Sequence, residues 1–260
     1  MNSQASIAPS QVQSVNVNSD DLAAKIEPFD SFWEGPSDIE KGYGKFDAFY
    51  KDNYLKHMPS DKGANILAIS CGPGYFVNML NKKGYTNVLG IDSRQSQIDW
   101  AASKNLNCKV ARAFEYLNEL EDGSLDAIFC EQELNHLTKD EIMQFLPLCL
   151  AKLKAGGTLV THALNGANPI TGSEALAQNF DHYNTFTEYT MNQVLSYCGF
   201  ERVKVFPLNL YVFWKNPANY VLLAVSGILH AMFRGFFIMY GKENKIFTKK
   251  IASACFKPKS

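Results

Sequence analysis

A glycine turn, and an acid one strand later, have the residue types and spacing to hold a small ligand. Residues 66–80 are ILAISCGPGYFVNML, in which a short apolar run leads into Gly72-Pro73-Gly74 and then into a second apolar run with helical spacing. Because glycine has no Cβ, a ligand can approach the turn while the first amides of the next helix point outward. The pattern predicts a nucleotide or nucleoside at the carboxyl end of a buried strand.

The residues after the turn narrow the choice of ligand. A dinucleotide fingerprint would have a third glycine at Val77, and no Gly-Lys-Ser/Thr phosphate loop is present. The next apolar run ends in Asp92 and Ser93, and an acid at the tip of a second strand can accept hydrogen bonds from ribose hydroxyls. The turn and the acid together predict an adenosyl site. The alternative is that Asp92 or Ser93 only caps the following helix.

Two histidines are candidates for a general base, the role that histidine commonly fills near neutral pH. His182 follows Asp181, which could orient or polarise it, in a segment after the fifth predicted strand. His136 follows the fourth predicted strand, beside Glu133. Each has a structural alternative, since His136 could order a turn and His182 could belong to a loop that closes over the site. His162, inside a predicted strand, is expected to pack.

An alternation of strands and helices from Ile66 onward must position these residues, and it predicts an α/β fold with a doubly wound sheet. The predicted strands are 65–70, 87–91, 107–111, 125–130, 157–163, 201–207 and 251–256. The predicted helices are 75–83, 94–104, 113–119, 139–153 and 187–198.

Seven segments carry a resemblance to a known family, in chain order ILAISCGPGYFVNMLNKKGYTNVLGIDSRQSQIDWA, FEYL, SLDAIFCEQELNHLTKDEI, LKAGGTLV, LNGANP, FTEYTMNQVLSYCGF and KIFTKKIASACFKP. They cover most of residues 29–257. The chain resembles the class I S-adenosylmethionine (SAM)-dependent methyltransferases, and within them those of bacterial glycan and O-antigen biosynthesis. The resemblance implies a Rossmann-like, seven-stranded class I methyltransferase sheet.

The resemblance also implies roles for individual residues. Those expected to contact SAM are Ser70, Gly72, Pro73, Gly74, Asp92, Ser93, Ala113, Phe114 and Glu131. Within this set the glycines would lie under the methionine part, Asp92 would hold the ribose, and Ala113 and Phe114 would flank the adenine. Cys130 and Glu131 would line the floor near the methyl group, and Tyr43 and Phe46 would cover the cofactor.

The chain departs from the family pattern at three positions. Ala68 and Arg112 stand where the family usually has acids, and Ser70 stands where it usually has glycine. Ser70, Glu131 and backbone carbonyls could replace the missing acids. If they do not, the chain would be an inactive, methyltransferase-like scaffold, which is the second hypothesis.

The resemblance implies methyl transfer to a sugar hydroxyl of a glycan or lipid-linked saccharide, and such a hydroxyl is a poor nucleophile that would benefit from a base such as histidine. No carboxylate cluster is apparent near the strand ends, so the enzyme is expected to need no metal. Asn165 and Asn168 could bind a polyol. A wall of aromatic side chains could stack on a sugar, and its candidates are Phe32, Trp33, Tyr43, Tyr183 and Trp214. A small-molecule or lipid acceptor is the alternative.

Composition limits the binding partners and the cellular compartment that can be expected. A net charge of -1 gives no global positive field for nucleic acid. Six cysteines without a CxxC pair are expected to be free thiols, and the start of the chain lacks signal-peptide features, so a cytoplasmic location is expected. Residues 1–28 are expected to be mobile, and residues 29–260 to form one methyltransferase domain.

One apolar segment interrupts the alternation within a predicted hydrophobic helical insertion at residues 208–246. Residues 220–240 are long enough to span a membrane and carry only His230 and Arg234 as potential charges. A single crossing would separate the strands at 201–207 and 251–256, which are expected in one sheet. A helix pair packed on the sheet or on a second subunit, and an interfacial helix steadied by Lys242, Lys245, Lys249 and Lys250 on the cytoplasmic face of a membrane, both remain open.

Overall fold

The computed structural model of the chain describes residues 36–177, 179–208 and 217–259. The predicted mobile segment 1–28 and three aromatic residues of the predicted sugar wall, Phe32, Trp33 and Trp214, lie outside the described residues. Within them, the chain forms a seven-stranded sheet with helices on its faces.

The sheet has the strand order β3-β2-β1-β4-β5-β7-β6. Its strands are β1 (Ile66–Ile69), β2 (Val88–Asp92), β3 (Cys108–Val110), β4 (Leu125–Glu131), β5 (Leu153–Leu164), β6 (Glu201–Pro207) and β7 (Lys250–Phe256). Neighbouring strands from β3 to β5 pair in parallel, whereas β7 is antiparallel to both β5 and β6. All seven predicted strands are confirmed, and so is the class I methyltransferase sheet.

Nine α-helices accompany the sheet in the described residues. They are α1 (Pro36–Tyr54), α2 (Tyr75–Lys82), α3 (Gln95–Ser103), α4 (Ala113–Glu119), α5 (Glu133–His136), α6 (Lys139–Lys152), α7 (Glu174–Ala177), α8 (Glu188–Tyr197) and α9 (Ala218–Met239). The five predicted helices correspond to α2, α3, α4, α6 and α8. Helix α1 lies within the aromatic-rich lead-in to the first strand and packs against α2.

Strand β1 is covered on both faces, as its continuous apolar sequence predicts. Ile66 and Ala68 belong to the core that includes α1 and α2, whereas Leu67 and Ile69 belong to the core on the opposite face with α6 and α8. The four residues are at most 1% exposed. Because alternate side chains of a strand point to opposite faces, this run can only lie between two helical layers.

The cysteines are free thiols, as expected from their scattered positions. Five of them are buried and Cys108 is half-buried. Burial raises the pKa of the Cys130 and Cys149 thiols. These two groups are therefore neutral core side chains.

The insertion between β6 and β7 contains one long described helix rather than a pair packed on the sheet. Helix α9 has 22 residues, and none of them is buried. By length and composition, α9 could cross a membrane, and it is the one helix among the described residues that could. Packing of this segment over the sheet, the first of the predicted alternatives, is therefore wrong for α9, because α9 leaves its apolar side chains uncovered, whereas packing against a second subunit stays a prediction.

Candidate active site

The glycine turn joins β1 to α2 at the carboxyl edge of the sheet. Gly72 and Gly74 have φ values of 51° and 81°, a backbone region that strongly favours glycine. At Gly74 a Cβ would lie 2.8 Å from Leu106 Cδ1, whereas at Gly72 it would meet only Gln97 Oε1, at 4.0 Å. Gly74 therefore allows close packing below the turn, and Gly72 leaves space beside it for a ligand.

Helix α1 covers the turn. The Tyr43 hydroxyl donates to the carbonyl oxygen of Pro73 at 2.6 Å, and the Tyr43 ring packs edge-on against Tyr75. Phe46 stacks on Tyr75 with ring centroids 4.9 Å apart. Both aromatic residues thus lie beside the turn, and their role as a cover over the cofactor stays a prediction.

Asp92 connects the turn to the end of β2. Its Oδ2 accepts from the Gly72 amide at 2.8 Å, and its Oδ1 accepts from the Arg94 amide at 3.0 Å and from Arg94 Nε at 3.2 Å. The residue that caps α3 is Arg94, which makes no side-chain capping bond, and Ser93 is exposed. Neither Asp92 nor Ser93 is the N-cap of this helix. The ribose role of Asp92 stays a prediction.

Gln97 is a candidate binding residue that the sequence reasoning missed. It lies on α3, is 4% exposed, and its Oε1 has no hydrogen-bond partner among the described residues. A buried acceptor without a partner is costly unless a ligand or water supplies a donor. Its polarity at a position on the buried face of α3 was the available signal. The open side of Gly72 and this acceptor together fit an adenosyl cofactor.

The positions expected to flank the adenine lie at the neighbouring strand end. Ala113 and Phe114 begin α4 directly after β3, and both are half-buried. The Phe114 ring packs edge-on against Phe145, with centroids 5.6 Å apart. The pair is therefore at the same edge as the glycine turn, with Phe114 partly engaged in the core.

The acidic residues at the end of β4 and just after it have partners other than those expected. Ser70 Oγ donates a hydrogen bond to Glu133 Oε2, and the Tyr50 hydroxyl donates to Glu131 at 2.5 and 2.6 Å from its two oxygens. Burial raises the pKa of Glu133 above its usual value, although Ser70 and His136 act in the opposite direction. Glu133, which the sequence reasoning placed only beside His136, thus connects the strand end of β1 to the histidine segment.

His136 and Asp181 lie within hydrogen-bond distance of each other. His136 Nδ1 lies 2.8 Å from Asp181 Oδ2. The expected pairing of Asp181 with His182 is wrong in geometry, because His182 Nδ1 instead lies 2.7 Å from the carbonyl oxygen of Ala175. The rings of His136 and His182 are in edge contact, with centroids 4.9 Å apart. All three predicted catalytic residues therefore come together, but Asp181 contacts His136, whereas the sequence predicted that it would orient His182.

The charge of Asp181 is stabilised by its neighbours. Burial alone would raise the pKa of this carboxyl, but the hydrogen bond and charge of His136, together with the charge of His182, lower it below its usual value. Asp181 is 8% exposed, and its Oδ1 has no hydrogen-bond partner among the described residues. The carboxylate can therefore stabilise a positive imidazolium at His136.

A metal could also use this cluster. Ligand atoms of His136, Asp181 and His182 lie within 4.8 Å of one another. Two imidazoles and one carboxylate are ligands that divalent transition metals accept. The expectation of a metal-independent enzyme rested on the lack of a carboxylate cluster, and it did not cover this mixed set of histidines and one carboxylate.

Asn135 holds the two halves of the cluster together and was also missed. It is fully buried, its Nδ2 donates to the Asn184 carbonyl at 2.6 Å, and its own carbonyl accepts from the Tyr183 amide at 2.8 Å. Its Oδ1 accepts from the Leu164 amide at 3.2 Å. An asparagine between two apolar residues in Leu134-Asn135-His136-Leu137 was the available signal.

The remaining polar candidates have structural partners. His162 is 1% exposed, and its Nδ1 lies 2.9 Å from the Tyr54 hydroxyl, in agreement with a packing role. Asn165 Nδ2 donates to the carbonyls of Ile246 and Thr248, and Asn168 Nδ2 donates to that of Phe247. These amides attach the loop after β5 to the chain that enters β7. The expectation that they bind a polyol loses its support.

Comparison with known proteins agrees with this fold. Residues 66–157 match the family model described as a methyltransferase domain. A search of curated proteins found no match.

Solved structures resemble a larger part of the chain than the family model does. A SAM-dependent methyltransferase from Archaeoglobus fulgidus is 20% identical, with a TM-score of 0.63 over 89% of this chain and 99% of that one. A chain of the Haloferax volcanii complex that contains the Trm112 methyltransferase activator is 13% identical, with a TM-score of 0.62 over 84% and 94%. Phosphoethanolamine N-methyltransferase 2 of Haemonchus contortus, in complex with SAM, is 15% identical, with a TM-score of 0.56 over 88% and 60%.

The match to the methyltransferase domain, on the sheet and site described above, indicates the class of the protein: residues 66–157 correspond to a methyltransferase domain, the sheet has the class I fold, and together they support a SAM-dependent methyltransferase. SAM is the cofactor that this match supports, and the scaffold hypothesis is the less well supported of the two.

Proposed function

We propose that the protein transfers the methyl group of SAM to a hydroxyl oxygen of a sugar, on a glycan or lipid-linked saccharide, without a metal. SAM supplies an electrophilic methyl group when bound. The protein has to align the acceptor, exclude water and remove the hydroxyl proton. The residues proposed to hold the cofactor are those around the glycine turn, with Asp92, Gln97 and the start of α4.

The His136–Asp181 pair is the observation that carries the proposal. If the Nδ1–H of His136 donates to Asp181, as the 2.8 Å distance indicates, Nε2 is the basic nitrogen of the ring. Asp181 then stabilises the imidazolium that forms when Nε2 takes the hydroxyl proton. A methyl acceptor that ionises easily would not require this arrangement, so the pair favours a hydroxyl acceptor.

Exposed aromatic rings beside the pair support a sugar. Phe180 is 83% exposed and Tyr183 is 49% exposed, and these residues flank Asp181 and His182 in sequence. Exposed aromatic rings near a polar site suit the apolar face of a pyranose. The resemblance of the chain to methyltransferases of glycan biosynthesis supports the same substrate class. A small metabolite or a lipid remains the second candidate.

The proposal predicts that His136→Ala lowers turnover by at least about a hundredfold while leaving the Kd for SAM within about twofold, because the base acts on the acceptor. Turnover is measured with methyl-labelled SAM on fractionated glycan and lipid pools, and the Kd by calorimetry. His230→Ala, in α9, is the matched control and should be unchanged. An equal loss in His182→Ala, with His136→Ala active, would assign the base to His182 instead.

Two further arms test the acceptor and the metal. Label in the glycan or lipid-linked saccharide fraction supports the proposal, whereas label only in small metabolites or in simple lipids contradicts the substrate class. Activity that survives dialysis against a chelator supports a metal-independent reaction. Activity that is lost on dialysis and restored by Mn²⁺ or Zn²⁺ would show that the cluster binds a metal.

A further inference from the structure

Helix α9 has its polarity inverted relative to an ordinary surface helix. Its less exposed positions form one stripe at helical spacing, which consists of Asn219, Ser226, His230, Phe233 and Phe237. Three of these five are polar, and Ser226 Oγ lies 3.3 Å from His230 Nε2. In a soluble protein the protected stripe is the apolar one. Here the other positions of α9 are both exposed and mainly apolar.

The exposed apolar area extends around most of the helix. Large side chains at consecutive positions face solvent, including Val221 at 65% exposure and Ile228 at 64%. The others on α9 are Tyr220, Leu222, Leu223, Val225, Leu229, Met232, Phe236, Ile238 and Met239. A partner helix would cover only a stripe of about 100° on such a surface. The hydrocarbon of a lipid bilayer can contact a helix on all sides. It therefore fits this pattern better than a second copy of the chain does.

The C-terminal end of α9 packs against the rest of the domain. Phe237 and Phe233 contact the ring of Phe247, with centroids 4.8 and 6.0 Å apart, and Phe247 is 1% exposed. The loop after β5 binds the same region, because Asn168 donates to the Phe247 carbonyl at 2.6 Å. The membrane-like helix is thus attached at the carboxyl edge of the sheet, the edge that holds His136 and Asp181.

The topology excludes one simple crossing of a bilayer. Leu208, just after β6, donates its amide to the carbonyl of Lys250 in β7 at 3.3 Å, so both ends of the 208–250 segment meet in one sheet. If α9 crossed, residues 209–216 would have to recross the hydrocarbon, and eight residues are too few for a second spanning helix. A helix that enters one leaflet and stays there satisfies both the topology and the exposed apolar surface.

Charged side chains at and just after the C-terminal end of α9 suit the headgroup region of the same leaflet. Arg234, Lys242 and Lys245 are exposed, and Glu243 is the exposed acid among them. Lys250 does not belong to this set, contrary to expectation, because it lies in β7. Burial there lowers the pKa of Lys250, although the charge of Glu131 acts in the opposite direction. The net positive charge favours anionic lipid without requiring it.

We propose that α9 inserts into one leaflet of a lipid bilayer and holds the carboxyl edge of the sheet at the membrane surface. The inference rests on the surface of α9 and on its attachment, so it stands or falls independently of the proposed acceptor. If both proposals hold, an acceptor carried on a lipid would be presented directly to the His136–Asp181 pair.

The test is co-sedimentation of the full chain with vesicles of phosphatidylcholine, alone or mixed with phosphatidylglycerol. Wild type should pellet with both, and more strongly with the mixture. The double variant Leu222→Glu/Ile228→Glu should partition at least about tenfold more weakly, because two exposed apolar side chains become charged. The matched control is Met143→Glu/Tyr197→Glu, which changes two exposed apolar residues on α6 and α8 in the same way. It should pellet like wild type.

Three outcomes would overturn the proposal. Wild type could fail to pellet with either kind of vesicle, or the α9 variant could bind like wild type. Wild type could also sediment as a dimer that the α9 variant converts to a monomer, without vesicle binding, which would identify a second copy as the occupant. Because the changed side chains are exposed, the Tm of the variant should stay near that of wild type, and SAM binding should be retained.

Discussion

Asp92 combines a structural and a predicted binding role in one carboxylate. Its oxygens accept hydrogen bonds from the Gly72 amide and from Arg94, so they fix the turn relative to β2 before any ligand arrives. Each carboxylate oxygen can accept more than one hydrogen bond, and this leaves capacity for ribose hydroxyls. Preorganisation of this kind reduces the loss of conformational entropy when a ligand binds.

Asp92→Asn should weaken SAM binding by at least about tenfold, equivalent to about 1.4 kcal/mol, because an amide replaces one acceptor oxygen with a donor. Calorimetric titration with SAM and with S-adenosylhomocysteine measures this loss. Asp99→Asn is the matched control, since Asp99 lies on the exposed face of α3 and bonds Gln95. An unchanged Kd in Asp92→Asn would remove the ribose assignment.

For single residues, the sequence predicted which residues form the site better than it predicted their hydrogen-bond partners. The sequence placed Asp92, His136 and Asp181 near one edge of the sheet, because all three follow predicted strands. It did not reveal that Asp181 pairs with His136, since that contact depends on how Asn135 holds residues 183 and 184 against α5. Gln97 was missed because its lack of a partner is visible only once the helix is packed.

Among the elements, the turn between β1 and α2 is the one most dependent on a single residue type. Gly74 has a positive φ and also lies where a Cβ would be 2.8 Å from Leu106 and 3.1 Å from Cys108. Gly84, at the end of the same helix, has a similar φ of 85° but open space around its Cβ position. Substitution of the two glycines therefore distinguishes the effect of backbone strain, which is present at both, from the effect of steric contact, which is present only at Gly74.

Gly74→Ala should lower the Tm more than Gly84→Ala does, and only Gly74→Ala should also weaken SAM binding. Backbone strain contributes about 1 kcal/mol at either site, whereas the contacts at Gly74 force the turn or the β3 end to move as well. Thermal unfolding and calorimetry measure the two effects. Equal Tm losses in the two variants would mean that the packing below the turn adjusts to the extra methyl group.

Element positions were predictable because periodicity and glycine stops mark them. The seven strands match closely, since those in the middle of the sheet are continuous apolar runs between turn residues. Helix α9 was recognised as an apolar segment, but its packing could not be predicted. Hydrophobicity gives the length of a helix and says nothing of what covers it.

For the molecule as a whole, the half-buried His57 and the buried His162 should make stability depend on pH. Burial lowers the pKa of His57 to about 4, with further lowering by Lys56 and Lys204, and burial also lowers the pKa of His162. Below the usual histidine pKa of about 6.5, the unfolded chain takes up protons at these positions that the folded chain does not. Their contribution to stability is thus complete above about 6.5 and is lost as the pH falls below it, and for His57 the loss extends to a pH of about 4.

His57→Phe should remove part of this acid sensitivity. The ring of His57 stacks on Phe206 with centroids 4.5 Å apart, and phenylalanine can keep that contact without titrating. The difference in Tm between variant and wild type, followed from neutral to mildly acidic pH, should grow in favour of the variant. The raised pKa of Glu133 acts in the opposite direction, so the comparison between the two proteins is the informative quantity. A constant difference would contradict the assignment.

The strand order has a consequence for how the chain folds during synthesis. Among the described residues strand β6 pairs with β7 alone, and β7 lies between β6 and β5 although it follows both in sequence. Until residues 250–256 have left the ribosome, β5 and β6 each present an unpaired edge, and the apolar α9 is already exposed. The final strand therefore closes the sheet after synthesis of the rest. An early encounter of α9 with a membrane would protect the nascent chain from aggregation during that interval.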